Sequence, residues 1–173
     1  MKTAPLLTYE KPGKYESSRL EKIHNLIFDN SVIGSIAVAN EIATLIKTKQ
    51  QINSICVLGL ATGSSPIKVY EELIRLHKEE NLSFKNVVTF NLDEYFPMHH
   101  DDIQSYHYFM NEHLFKHIDI LPENINIPNG ECTVEENLVF CAQYEEKIKN
   151  LGVAFKDDIN IYDYIENLSF ISI

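Results

Sequence analysis

The sequence predicts an α/β fold, a parallel sheet wound by helices that cover both faces, and three observations carry that expectation. Two apolar runs, residues 54–60 (SICVLGL) and 86–92 (NVVTFNL), are too brief for helices and lack the alternation of a strand with one wet face, so both read as buried central strands. Segments with helical periodicity lie before, between and after them. Strands that alternate with helices in this way are joined most simply by crossovers into a parallel sheet.

The elements follow in chain order. Residues 1–18 mix Pro5, Pro12, Gly13, lysines and serines without apolar period and read as an N-terminal arm. Residues 23–29 (IHNLIFD) alternate enough to predict a short strand, and Asn30 or Ser31 supplies the N-cap of a helix whose inner stripe is Ile36, Ala39, Ala43 and Ile46. After the first buried strand comes the small-residue loop ATGSSP. Ser65 is placed to cap the next helix and Pro66 to occupy its first turn, with Ile67, Tyr70, Leu73, Ile74 and His77 at helical spacing. Residues 105–115 (SYHYFMNEHLF) predict a helix, and residues 124–128 (NINIP) a short extended piece. Residues 133–152 predict a helix opened by a Thr133/Glu136 capping box and closed by Gly152. The pattern divides the chain into an arm (1–18), one α/β unit (19–152) and a tail (153–173) with neither helical nor strand period.

Composition narrows the partners. The 173 residues are 45% hydrophobic and 23% charged, enough for one domain with a real core. An excess of 25 acidic over 15 basic residues, a formal charge of −10, repels nucleic acid and anionic membranes, whereas a small anion can still be drawn in by local backbone dipoles. Cys56, Cys132 and Cys141 are odd in number and widely spaced, which predicts neither a disulfide framework nor a zinc knuckle and fits a reducing compartment. With no signal-peptide core and no run near the roughly 18 apolar residues that span a bilayer, a soluble cytoplasmic protein is expected.

In an open parallel sheet, ligands bind beyond the C-terminal ends of the strands. Two features fall there. Thr62, Gly63, Ser64 and Ser65 join a buried strand to a helix N-terminus, so close backbone approach, free N–H groups and hydroxyls form a small anion cradle. The loop matches neither the nucleoside-triphosphate nor the dinucleotide pattern. Asp93 and Glu94 end the second buried strand, a costly place for an unpaired carboxylate. Beside a phosphate cradle, such an acid can act as general base on a proton next to a carbonyl of a phosphosugar. A capped turn and a helix-capping acid remain the alternatives for the two features.

Histidines at 99, 100, 107, 113 and 117 raise the question of a metal. His113 and His117 are four apart on an expected helix, but no acidic or cysteine partner stands at a motif distance, and residues 99–102 (HHDD) read as a solvated loop. No metal site is predicted.

The blocks LGLATGSSPIKVYEEL, SFKNVVTFNLDEYF, QSYHYFMNEHLF and ENINIPNG, in this order and spacing, resemble the glucosamine-6-phosphate deaminases, also called isomerases. The resemblance covers residues 23–152, and the stretch DNSVIGSIAVANEIA is most similar to members in which this domain is the front part of a longer polypeptide. It implies a Rossmann-like sheet and a homo-oligomeric enzyme with no metal or organic cofactor, converting glucosamine 6-phosphate and water to fructose 6-phosphate and ammonia. It also implies that Thr62, Gly63, Ser64 and Ser65 hold the sugar phosphate. Asp93 would then move a proton between C2 and C1, with Glu94 as a supporting acid behind it. Tyr95, where the related 6-phosphogluconolactonases carry arginine, favours the deaminase branch over a lactone hydrolase.

The family's later glycine-histidine-asparagine-glutamate segment, which brings ring-opening groups, and its basic phosphate ligands have no counterpart in the 173 residues. The expectation is therefore a sheet incomplete at its C-terminal end, in a truncated or frame-shifted product with impaired activity, or a phosphosugar-binding remnant. A sheet in that state leaves an edge and an apolar face uncovered. The chain alone is expected to melt at low temperature and without a sharp transition, and a cooperative monomeric melt by calorimetry would count against that expectation.

Overall fold

A computed structural model describes residues 26–153. Its elements are α1 (Ser31–Gln51), β1 (Cys56–Leu60), α2 (Ile67–Glu80), β2 (Val87–Asn91), α3 (Tyr106–His113), two short 3-10 turns (Phe115–His117 and Pro122–Asn124), β3 (Ile125–Asn126) and α4 (Val134–Val153). The three strands are parallel in the order β1-β2-β3, as the alternation of elements predicts.

Register decides which side chains share a face. Cys56, Leu58 and Leu60 pair with Val87, Thr89 and Asn91, so these six point to one side of the sheet. There Ala39, Ile42, Ala43 and Ile46 of α1 and Val69, Tyr70, Leu73 and Leu76 of α2 join them with Met110, Leu114 and Phe115 in the main apolar cluster. Val88 and Phe90 point the other way and are buried too. Tyr144 of α4 packs edge-on against Phe90, with ring centroids 5.5 Å apart. Helices thus cover both faces, and all five residues of β2 are buried. Burial also pushes the Cys56 thiol up to about 12, Lys49 acting weakly the other way, so this cysteine is core filling. No helix among the described residues is long and apolar enough to cross a membrane.

Four sequence expectations need correction. The strand over residues 23–29 does not form over its described part: residues 26–28 are irregular and Ile27 is 98% exposed. Alternation makes a strand only where a sheet edge is present to pair with it, and here the chain instead lays Phe28 beside Gly34. Within α1, Ile36 is exposed and Ile42 takes the inner stripe in its place. Ser65 does not cap α2, because Pro66 is already in helical conformation at the N-cap and supplies no side-chain bond. Gly152 does not end α4, which continues to Val153. The Thr133/Glu136 capping box does form: Glu136 N–H donates to Thr133 Oγ1 (3.2 Å) and Thr133 N–H to the Glu136 carboxylate (2.9 Å). The arm over residues 1–18 and residues 154–173 of the tail lie outside the described residues.

A half-buried acid joins the entry of β2 to the segment before β3. Asp119 accepts from Phe84 N–H (2.6 Å) and Ser83 Oγ (2.8 Å), with His77 Nδ1 at 3.7 Å. Burial alone would raise its pKa, but the bonds from Phe84 and Ser83 and the charge of His77 outweigh it, and the value lies below the ordinary 3.8. A depressed carboxylate stabilises the fold above its ordinary pKa and loses that contribution as pH falls through the folded value. Asp119→Ala is therefore expected to cost about 1–3 kcal/mol at neutral pH. In urea melts the gap between wild type and variant should narrow below pH 3.8.

Candidate active site

The C-terminal ends of β1 and β2 are held side by side. Leu60 pairs with Asn91 as the last step of the ladder, so Thr62 and Asp93 each stand two residues beyond it on adjacent strands. Side chains then continue the stitching. Asn91 Nδ2 donates to Leu60 O (2.9 Å), Asn126 Nδ2 donates to Thr89 O (2.9 Å), and the Tyr144 hydroxyl reaches Asn91 O (2.8 Å) and Asn126 O (3.1 Å). Tyr70, from the second turn of α2, donates its hydroxyl to Ala61 O at 2.5 Å and fixes the residue before the loop.

On that base sits the cradle. Gly63 has φ +91°, a conformation that any side chain would strain, while nothing lies near where its Cβ would be. The loop therefore needs glycine for its backbone shape and leaves open space above it. Ser64 and Ser65 are exposed and Thr62 is half-buried. Among the four described α-helices, α1 is capped by Asn30, α3 by Ser105 and Glu94, and α4 by Thr133. Helix α2, which follows the cradle, has no side-chain cap. Its first-turn N–H groups and positive dipole end are available to an anion.

The acid pair divides into two roles. Glu94 turns toward α3: its Oε1 accepts from Tyr106 N–H (2.8 Å) as well as Tyr95 N–H (2.8 Å), and its Oε2 accepts from His107 N–H (2.9 Å). Ser105 Oγ takes Tyr108 N–H (2.9 Å). Three donors of the first turn of α3 are thereby satisfied, and a negative charge sits at the positive end of the helix. Asp93 instead remains exposed at the rim.

Tyr106 connects the two features. Its hydroxyl lies within electrostatic reach of Tyr95, Thr62 and Asp93. Tyr95, then burial and the Asp93 charge, raise its pKa above the ordinary value, with Thr62 acting oppositely. The two rings are 4.8 Å apart between centroids. The structure thus gathers Thr62, Asp93, Tyr95 and Tyr106 into one site with Gly63, Ser64 and Ser65 on the adjoining loop. In the sequence Tyr106 is simply one aromatic of the helix expected over residues 105–115. The signal that could have found it is Ser105, whose capping of α3 places residue 106 in the first turn, against Glu94.

The histidines separate. Helix α3 ends at His113, and His117 lies past it in a 3-10 turn with Nε2 3.0 Å from Glu112 O, so the expected pair on one helix is not formed. His99 and His100 do find an acidic partner, Glu131, 31 residues from His100 in sequence.

The Glu94 bonds yield a test. Glu94→Ala strips two caps from α3 at once and is expected to cost about 1–2 kcal/mol. Glu94→Gln, which keeps one acceptor oxygen, should recover part of that loss in urea unfolding monitored by circular dichroism.

Comparison with known proteins places this geometry. A family model for glucosamine-6-phosphate isomerases/6-phosphogluconolactonase matches residues 34–165. A glucosamine-6-phosphate deaminase of Haemophilus influenzae is 54% identical over 96 residues, 56% of this chain and 35% of that protein. Glucosamine-6-phosphate deaminase 1 of Giardia intestinalis is 48% identical over 120 residues, 68% of this chain and 42% of that protein. Among solved structures, a monomeric glucosamine-6-phosphate deaminase superposes with a TM-score of 0.67 at 42% identity, over 72% of this chain and 49% of the other. A 6-phosphogluconolactonase from Thermotoga maritima gives 0.57 at 25% identity, over 73% and 53%. The chain spans about half or less of the length of these deaminases. With the model matching most of its residues, the chain belongs to the glucosamine-6-phosphate isomerase/6-phosphogluconolactonase family, and the relatives it matches at 42–54% identity are glucosamine-6-phosphate deaminases.

Proposed function

We propose that the strand-end site takes an aminosugar phosphate, glucosamine 6-phosphate in the family's reaction, and that Asp93 carries the proton transfer that leads to fructose 6-phosphate and ammonia. The observation that carries this reading is the uncapped N-terminus of α2, directly after the Gly63 loop and beside the strand that delivers Asp93. A phosphate dianion at that helix end is stabilised by the N–H groups and hydroxyls of Thr62, Ser64 and Ser65 in spite of the net charge of −10. Fixing the phosphate leaves the other end of an open-chain sugar, C1 and C2, to meet Asp93.

At that end the chemistry is a proton shift. The Asp93 carboxylate removes the proton from C2 of the open-chain 2-ammonio aldose. The C2–H electron pair forms the C1=C2 bond while the C1=O pair takes up the proton that the ammonium group gives up, and the C2 proton is then returned to C1 as the nitrogen lone pair forms the C2 iminium. The resulting C2 imine takes up water and releases ammonia, leaving the 2-ketose. Tyr106 and Tyr95, with their rings in contact and Asp93 within electrostatic reach of Tyr106, line the approach to it. Glu94 serves by holding the Asp93 loop against α3. All these groups come from one chain, so the homo-oligomer implied by the family resemblance is not needed to build this site, and the solved relative at 42% identity is monomeric.

The test separates binding from chemistry. Glucosamine 6-phosphate should bind by calorimetry where unphosphorylated glucosamine does not, and Ser64→Ala/Ser65→Ala should weaken that binding about tenfold. Exchange of the C2 proton in D2O, followed by NMR, together with ammonia release, should fall about a hundredfold or more in Asp93→Asn with binding retained. Equal binding of both sugars would overturn the cradle, and exchange indifferent to Asp93→Asn would overturn the base.

A further inference from the structure

Away from the sugar site, two loops converge on a carboxylate. The loop that follows Asp93 carries His99 and His100, and the loop after β3 carries Glu131. They are locked together at backbone level: Met98 N–H donates to Gly130 O (2.8 Å), and a Cβ on Gly130 would stand 2.6 Å from Tyr95 O and 2.7 Å from Met98 O. Only glycine permits that approach. Glu131 is itself fixed by its N–H donating to Asn129 Oδ1 (2.9 Å). Its two oxygens then meet the two rings separately, Oε1 at 3.1 Å from His99 Nε2 and Oε2 at 2.5 Å from His100 Nδ1.

We propose that His99, His100 and Glu131 form a binding site for a first-row divalent metal such as Zn²⁺, bound through His99 Nε2, His100 Nδ1 and the Glu131 carboxylate. Ligand atoms of the three residues all lie within 4.8 Å of one another. Two donors on one tetrahedral zinc with bonds of about 2.1 Å are separated by roughly 3.4 Å, so modest side-chain adjustment closes the set. Two imidazoles and a carboxylate suit zinc, cobalt, nickel or copper far better than magnesium or calcium, and the exposed position leaves further coordination sites to water.

The surroundings fit ligation at His100 particularly well. Its second nitrogen, Nε2, lies 3.4 Å from Asp101 Oδ1, the carboxylate behind an imidazole that orients metal-binding histidines. The His99 ring stacks on that of His100 with centroids 4.5 Å apart, which keeps both rings near Glu131. Metal at His99 Nε2 moves the ring proton to Nδ1 and so gives up the 3.2 Å bond that Nδ1 accepts from Asp101 N–H. In return the ion replaces two N–H···O contacts with three metal–ligand bonds and staples the loop beginning at Asp93 to the loop after β3.

Zn²⁺ titration calorimetry on the untagged full chain, with Co²⁺ absorption as a second readout, decides the matter. One equivalent of zinc should bind, and His99→Ala/His100→Ala and Glu131→Gln should each weaken it roughly tenfold or more. His113→Ala/His117→Ala should leave it unchanged. Absence of stoichiometric binding, or binding that survives the loss of His99 and His100, would overturn the site. So would a cobalt spectrum with a thiolate charge-transfer band that vanishes in Cys132→Ser, since the metal would then be held by the neighbouring thiol. His99, His100 and Glu131 are exposed, and unchanged circular dichroism would confirm that each variant folds.

Discussion

Everything at the working edge of this sheet depends on one requirement: the carbonyls at the ends of three short parallel strands must find donors once the ladder stops. Buried backbone groups without partners are costly, and β2 and β3 end close together under Tyr144 of α4 with the end of β1 beside β2. Asn91 bonds across to Leu60, Asn126 bonds across to Thr89, and the Tyr144 hydroxyl spans the ends of β2 and β3. Lys147 adds a bond to Asn126 Oδ1. The strand ends are thereby held in register by side chains, and the loops that leave them start from fixed points. Tyr70 extends the same logic to Ala61, one residue before the cradle.

A second consequence concerns the adjacent acids. Neighbouring residues leaving a strand project to opposite sides, so Asp93 and Glu94 cannot share one task. Glu94 spends its charge on the first turn of α3, where two N–H groups and the helix dipole compensate it. Asp93 is left at the rim next to Tyr106. The supporting acid thus acts through position: it ties the segment carrying Asp93 to the helix carrying Tyr106, which faces Thr62 on the cradle side. Through the Glu94 bonds the loop after β2 and the start of α3 form one connected unit.

Much of this was legible in the sequence, for identifiable reasons. Strand β2 is central and buried on both faces as its apolar run predicts, whereas β1 stands at one end of the described sheet with Val57 and Gly59 only half-buried. The Thr133/Glu136 box forms because capping is a local bargain between two side chains and the backbone within one turn. The failures are non-local. Residues 26–28 carry an alternating pattern but do not pair with the described sheet, and pairing is decided elsewhere in the chain. Glu131 could not be joined to His99 and His100 by any spacing rule, because the contact is made by two loops meeting at Gly130. Tyr106 was hidden for a different reason: an aromatic in a helical pattern reads as core until the neighbouring acid is seen to hold its backbone.

The uncapped start of α2 belongs to the same reasoning. Ser65 stands one residue ahead of Pro66, and serine is a favoured cap, yet the helical conformation of Pro66 makes residue 66 the N-cap and leaves the serine hydroxyls outside the helix. A side-chain cap is commonly worth about 1 kcal/mol, and the other three described helices have one. Exposed N–H groups cost little while water solvates them, so the loop gives up modest stability. What it keeps is a set of donors already aimed outward, at a helix end whose dipole favours an anion, with Gly63 allowing close approach. A local rule broken at one place, in a chain that otherwise obeys it, is the pattern expected of a binding site.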